Sequence, residues 1–190
     1  MVWYRGGKVP AKDFLKKAFP VILLTAVVAI SVTALTYTDR MTRGEIEAQK
    51  GAQTESMLSE MFPEMSRYEF RDDIYTIYSD GDEIGYAFIA IGKGYGGSID
   101  ILVGLEDDTT LKGITIISQK ETPGLGTRIA EPSFTDMFSG LNIVDVALRR
   151  DGGQVDAITS STVSSAAVVD AVRITAMEKV KLIKASDKGG

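Results

Sequence analysis

The sequence predicts an α+β domain, an antiparallel sheet with helices packed on it, preceded by one transmembrane helix. Three observations carry this reading. A run of 19 uncharged residues lies near the N-terminus. The middle of the chain holds β-rich segments joined by turns short enough to favour antiparallel neighbours. The last long segment repeats apolar residues at helical spacing.

The uncharged run is Phe19 to Tyr37, FPVILLTAVVAISVTALTY. About 20 apolar residues cross the hydrocarbon core as a helix. Pro20 stands at the first turn, where a missing N–H costs little. Arg5, Lys8, Lys12, Lys16 and Lys17 precede the run against a single Asp13. By the positive-inside rule the N-terminus is cytoplasmic, and the chain beyond the span lies across the membrane. The rival is a signal peptide cleaved near Val32-Thr33-Ala34. The apolar run is longer than the usual core of such a peptide, which favours an uncleaved anchor.

Glu45 to Met65 has helix-forming composition, and Pro63 ends its regular part. Strands follow at Asp72–Tyr78 and Ile84–Ile91, flanking an Asp80-Gly81 hairpin signal. Ser98–Leu105 and Thr110–Ile117 form the next pair, joined by the acidic turn at Glu106 to Thr109. Ile99 and Ile101, and Ile114 and Ile116, alternate as strands with one buried face do. Glu131–Phe138 reads as a short helix and Ile143–Leu148 as a further strand. Thr162–Ile183 is a long helix with Val169, Val172, Ala176, Val180 and Ile183 on one stripe. Lys179, Lys181 and Lys184 lie toward its C-terminal end, where cations suit the helix dipole. The expected division is a cytoplasmic basic N-terminus (1–18), a transmembrane helix (19–37), a connecting helix (38–65) and an extracytoplasmic domain (66–190).

The sequence has no cysteine and no histidine. Iron–sulfur clusters held by cysteine, haem attachment through CxxCH, Cys/His zinc sites and a Ser-His-Asp triad are thereby excluded. Redox chemistry on this chain would need an organic cofactor. The net charge of −5 argues against nucleic-acid binding, which relies on Lys and Arg.

Four segments are candidates for chemistry. Gly92 to Gly97 formally matches GxGxxG, but a strand follows it where a dinucleotide site needs a helix. A glycine-rich hairpin loop is the better reading, and its backbone at Tyr95 and Gly96 could still line a pocket. Glu121-Thr122-Pro123-Gly124-Leu125-Gly126 contains a strong Pro-Gly turn signal. It is either a plain surface loop or one whose glycines let the backbone approach an aromatic ring. Thr159-Ser160-Ser161-Thr162-Val163-Ser164-Ser165 puts six hydroxyls in seven positions at the start of the last helix. One residue suffices to cap a helix. Helix N-termini also bind phosphate, so a phosphate ester and a solvated serine-rich loop both remain open. The acidic groups Asp80, Asp82, Glu83 and Glu106, Asp107, Asp108 read as solvated turn charges.

The order of these segments is specific: an N-terminal span, GYGG before a strand, ETPGLG, then a Thr/Ser motif opening a C-terminal helix. It resembles the G subunit of the Rnf ion-translocating electron-transport complex. It is also similar to the C subunit of the Na⁺-pumping NADH:quinone reductase, which shares the same FMN-binding domain family. The family's attachment pattern, Ser-Gly-Ala-Thr-x-Thr-Ser, falls on Thr159 to Ser165, with the acceptor threonine at Thr162. Ser160 and Ser161 depart from the pattern's Gly and Ala, and Asp156 stands three residues before Thr159.

The resemblance implies an electron-carrier subunit of a redox-driven ion pump in the plasma membrane. It would carry FMN covalently through a phosphoester to Thr162, moved there from FAD by a flavin transferase. Glu121 to Gly126, with Tyr95 and Gly96, would hold the ring. Other membrane subunits of the complex would be partners. A cytochrome or a neighbouring flavin or iron–sulfur subunit would be the redox partner. No substrate turnover by the chain alone is implied. Two rivals stand beside it: an anchored non-redox binding domain with a Thr/Ser helix cap, and a hydrolase or peptide-binding relative of flavin carriers. The second lacks a nucleophile–base pair in the sequence.

Overall fold

The computed structural model describes residues 11–187. Arg5 and Lys8 of the basic N-terminus lie outside the described residues. The chain divides into two compact units, Met1–Gln53 and Thr54–Gly190. Helix α1 covers Ala11–Met61 without interruption.

In the first unit, Phe19–Thr38 is a 20-residue span of mean hydropathy 2.3, with none of it buried. This fits a membrane anchor. Its threonine hydroxyls are satisfied within the helix. Thr25, Thr33 and Thr36 each donate to the carbonyl four residues back, at 2.9, 2.7 and 2.8 Å. That arrangement leaves the backbone ladder intact and these donors paired without water, as a membrane anchor requires.

The second unit is built on a five-stranded antiparallel meander: β1 Arg67–Arg71, β2 Ile74–Ser79, β3 Asp82–Lys93, β4 Ser98–Leu105 and β5 Leu111–Gln119. Each strand pairs with the next. The β2–β3 turn is Asp80-Gly81, with φ of 51° and 100°, the two left-handed residues that match the sheet's twist.

Two differences from the sequence reading stand out here. β1 is an additional edge strand, and Asp72-Asp73 is a turn where a strand start is expected. Both aspartates are left-handed, at φ 54° and 59°, which short polar side chains tolerate. β1 is almost wholly exposed, so it carries no hydrophobic alternation to betray it. Ring contacts hold it instead. Phe70 and Tyr75 lie 4.5 Å apart, Tyr68 and Tyr75 5.7 Å, and Arg67 sits 4.0 Å over the Tyr78 ring. Burial in this cluster pushes the Tyr75 hydroxyl pKa up, reinforced by Tyr68 and Asp73.

One face of the sheet carries Phe88, Ala90, Ile99, Ile101, Val103 and Ile114 against helix α3, Thr162–Asp187. The α3 stripe is the expected one: Val169, Val172, Ala176, Val180 and Ile183 are all buried. The other face is also covered in part. Ile77, Ala87 and Leu102 pack on Leu58, in the last turn of α1, and on Phe62 just beyond it. The regular helix ends at Met61, two residues before Pro63, in keeping with the stop expected at that proline; the remainder to Met65 is not helical.

Between β5 and α3 the chain is mostly irregular, yet it contributes Ile129, Phe134, Phe138, Ile143, Val146, Leu148 and Val155 to the core. The short helix expected there is α2, Pro132–Thr135, continued by a 3-10 turn over Asp136–Phe138. The strand expected at Ile143–Leu148 is absent. Ile143–Asp145 is a 3-10 turn capped by Asn142, whose side chain accepts from Val144 N–H at 3.1 Å. Ile143 and Val146 fill the core while Val144 stays exposed, and cap and turn override their strand preference. The acidic β4–β5 turn is closed by Asp107, which accepts from Thr109 N–H and Thr110 N–H, each at 2.7 Å. These bonds hold its carboxyl below the usual aspartate range.

The second-face cluster makes a direct prediction. Leu58→Ala should lower unfolding stability by about 2–5 kcal/mol, as for other buried leucines. Chemical denaturation of the full chain in detergent, followed by tyrosine fluorescence, measures it.

Candidate functional site

Three segments remote in sequence converge at one end of the sheet. Helix α3 lies close on β3: a Cβ on Gly92 would sit 2.8 Å from the Ala167 carbonyl oxygen. This brings the first turn of α3 beside the loop that follows β3. That loop closes tightly, with Gly94 N–H donating to Gly97 carbonyl at 2.8 Å. The third segment follows β5. Thr122 carbonyl accepts from Leu125 N–H at 3.2 Å, with Pro123 second and Gly124 third at φ 75°. These are the marks of a type II turn, whose third position requires positive φ.

Glu121 joins the three. Its side chain is buried at 6 % exposure. Oε1 accepts from Gly96 N–H at 2.8 Å, and Oε2 accepts from the Ser164 hydroxyl at 2.5 Å. Its own N–H donates to Gln119 Oε1 at 2.6 Å. A Cβ on Gly94 would collide with Oε1, and one on Gly126 would meet Glu121 Cβ at 2.6 Å. The glycines at these two places are therefore needed by protein packing. Glu121 fills the Cβ side of both, while Gly126 also lines the open pocket described next.

A pocket of about 480 Å³ opens over this junction. It is lined by Tyr95, Glu121, Thr122, Leu125, Gly126, Ser160, Ser161, Thr162, Val163 and Ser164. Its volume is in the range of small-molecule sites, roughly 300–1,000 Å³. Tyr95, at 80 % exposure, and Val163, at 58 %, leave apolar side chains open at its edge. No lysine or arginine among the described residues lines it. An anion bound here would rest on helix N–H groups, the positive end of a 26-residue helix, and hydroxyls.

The Thr/Ser segment is differentiated residue by residue. Ser160 is left-handed at φ 69°. Ser161 accepts Ser165 N–H on its carbonyl at 3.0 Å, so it is the N-cap and Thr162 is the first helical residue. Ser161 Oγ is buried without a hydrogen bond. Ser164 is engaged by Glu121. Ser165 is fully buried, accepting from Ile158 N–H and donating to Ser161 carbonyl, both at 3.0 Å.

Ten of the residues singled out from the sequence thus line one pocket. Thr159, Pro123 and Gly124 do not line it and are exposed, Ser165 braces the turn from below, and Gly96 acts through Glu121. Sequence reasoning missed Gln119 and Gly94. Gly94 belongs to the glycine-rich loop, where the close approach of a carboxyl was not read. Asp156 is exposed and pairs with Arg149 at 2.7 Å, and that hydrogen bond holds its carboxyl below the usual range.

Two substitutions test this geometry. Glu121→Ala leaves Gly96 N–H and the Ser164 hydroxyl without their acceptor and should cost about 2–4 kcal/mol in denaturant unfolding. Ser160→Gly relieves a left-handed residue, worth about 1–2 kcal/mol, against a backbone entropy cost of about 0.5–1 kcal/mol. The same titration should show it slightly more stable than the parent chain.

Comparison with known proteins accords with this site. Residues 94–176, which include all of the pocket-lining segments, match the family model described as the FMN-binding domain. The G subunit of the ion-translocating oxidoreductase complex of Methanosarcina acetivorans is 33 % identical over 85 % of this chain and 92 % of that one. Its counterpart in Aliivibrio fischeri is 30 % identical over 84 % and 87 %. A crystal structure of the C subunit of the Na⁺-translocating NADH-quinone reductase from Parabacteroides distasonis aligns over 57 % of this chain and 60 % of that one, with 26 % identity and a TM-score of 0.49. By its kinship over most of its length with these G subunits, the chain belongs to the G-subunit family of ion-translocating oxidoreductase complexes and contains an FMN-binding domain.

Proposed function

We propose that this protein is a membrane-anchored electron-carrier subunit of an ion-translocating oxidoreductase, with FMN held as a phosphoester on Thr162. The observation that carries this is the place of Thr162. It is the first residue of α3, it lines the pocket, and the buried Ser161 hydroxyl beside it has no partner. A helix start whose N-cap serine makes no capping bond is poorly explained as a cap alone. It suits a site for a phosphate group.

The residues fit FMN in two parts. The first turn of α3 supplies N–H groups and the dipole to the phosphate. Tyr95, Leu125 and Val163 offer apolar surface to the ring, with Glu121 fixing the loops that carry them. When bound, the flavin supplies one- and two-electron transfer. The chain's own part is to anchor, orient and expose it; we assign no residue to acid–base catalysis.

Attachment calls for a second protein. The Thr162 hydroxyl would attack the flavin-side phosphorus of FAD, forming the ester bond as the pyrophosphate bond breaks and AMP leaves. A flavin transferase would take the hydroxyl proton. Asp156, exposed ahead of the motif, is open to contact by such an enzyme. In this reading the basic segment 1–18 is cytoplasmic, 19–37 spans the membrane once, 38–65 connects, and 66–190 works on the outer side with the other membrane subunits. A cytochrome or a flavin or iron–sulfur subunit would exchange electrons with it.

Thr162→Ala should abolish covalent flavin fluorescence in denaturing electrophoresis while the domain stays folded. Thr162 is the first helical residue and not the cap, so its truncation should cost less than the about 1 kcal/mol of a lost N-cap, small beside a typical stability of roughly 5–15 kcal/mol. A fluorescent Thr162→Ala band would refute the assignment.

A further inference from the structure

Ser161 does half of what an N-cap residue does. Its carbonyl accepts the first bond of α3 from Ser165 N–H. An N-cap serine ordinarily also turns its hydroxyl onto the N–H of the second or third helical residue. Ser161 Oγ does not; it is buried, in a residue only 6 % exposed, and makes no hydrogen bond. Among the described residues it is the one buried side-chain nitrogen or oxygen without a partner. Leaving such a group unpaired is unfavourable, so its persistence calls for a ligand.

The surroundings narrow the choice of ligand. Ser161 lines the same pocket as Thr162. The neighbouring hydroxyls are already engaged: Ser164 donates to Glu121, and Ser165 donates to the Ser161 carbonyl. Thr159 and Ser160 are exposed. No Lys or Arg among the described residues lines the pocket to neutralise an anion. A hydroxyl at the open end of a helix, with its proton uncommitted, suits an anionic oxygen.

We propose that Ser161 is a positioning residue for the phosphoester, its hydroxyl donating to a non-bridging phosphate oxygen of the flavin carried on Thr162. The ligand class is a phosphodiester monoanion, and Ser161 itself stays unmodified. This rests on the reading of Thr162 as the attachment residue.

The test compares the full chain with Ser161→Ala and Ser161→Thr in detergent, each prepared with and without co-expressed flavin transferase. In the folded, loaded proteins, the ³¹P resonance of the phosphodiester should move in Ser161→Ala and stay near the parent position in Ser161→Thr. All should coincide after denaturation. Loading should raise the melting temperature of the parent more than that of Ser161→Ala, because only the parent gains a partner for its hydroxyl. Without flavin, Ser161→Ala should melt no lower than the parent. Coincident resonances in the folded proteins, or equal rises on loading, would overturn the proposal. Peptide mapping separates the deeper failure: no flavin on the parent's Thr162 peptide, or flavin on Ser161, removes the Thr162 reading and this one with it.

Discussion

The pocket depends on a buried carboxyl group. Glu121 reaches in one direction to the backbone of the loop after β3 and in the other to a hydroxyl in the first turn of α3. Its own segment is the turn after β5. Three loops that would otherwise be independent are thereby fixed to one another. Much of the local sequence follows from this. Gly94 and Gly126 have no room for a side chain because Glu121 occupies it. Ser164 must be small and must donate. Gln119 holds the Glu121 backbone. Gly92 lets α3 come close enough to β3 for the bridge to reach.

The chemical character of the pocket follows from what this bridge leaves over. The lining has one acidic group, already committed to two donors, and no cation among the described residues. Any anion it holds must be met by backbone N–H groups and hydroxyls at the start of a 26-residue helix. That is a weak site for a freely exchanging anion and a suitable one for a phosphate tethered by an ester bond. Exposed apolar side chains at the edge give the same pocket an open face. For an electron carrier, an open face matters more than an enclosed one, because a second protein must come near the cofactor.

The sequence was most informative where a pattern has a single physical cause. The apolar span, the α3 stripe and the Asp80-Gly81 hairpin each read correctly because length, period or turn chemistry leaves few alternatives. It failed where tertiary packing decides. β1 has no buried face, so nothing in RYEFR announces a strand. Ile143–Leu148 has strand composition but serves the core from a 3-10 turn. Asp72-Asp73 turns without glycine. At the site, the three motifs were legible as motifs, through turn residues and a density of hydroxyls. Their joining was not, because a glutamate bonded to residues 25 and 43 positions away leaves no local trace. The packing of Gly94 and Gly126 on Glu121 was hidden for the same reason: a glycine signals close approach without saying what approaches.

Whether Thr162 carries FMN is decided by intact mass followed by peptide mapping of the protein purified from its native host. One FMN added as a phosphoester, on the peptide containing Thr162, is the expected result. An unmodified Thr162 in the mature protein would contradict it and leave an FMN-binding domain that holds its flavin, if any, without a covalent bond at this helix.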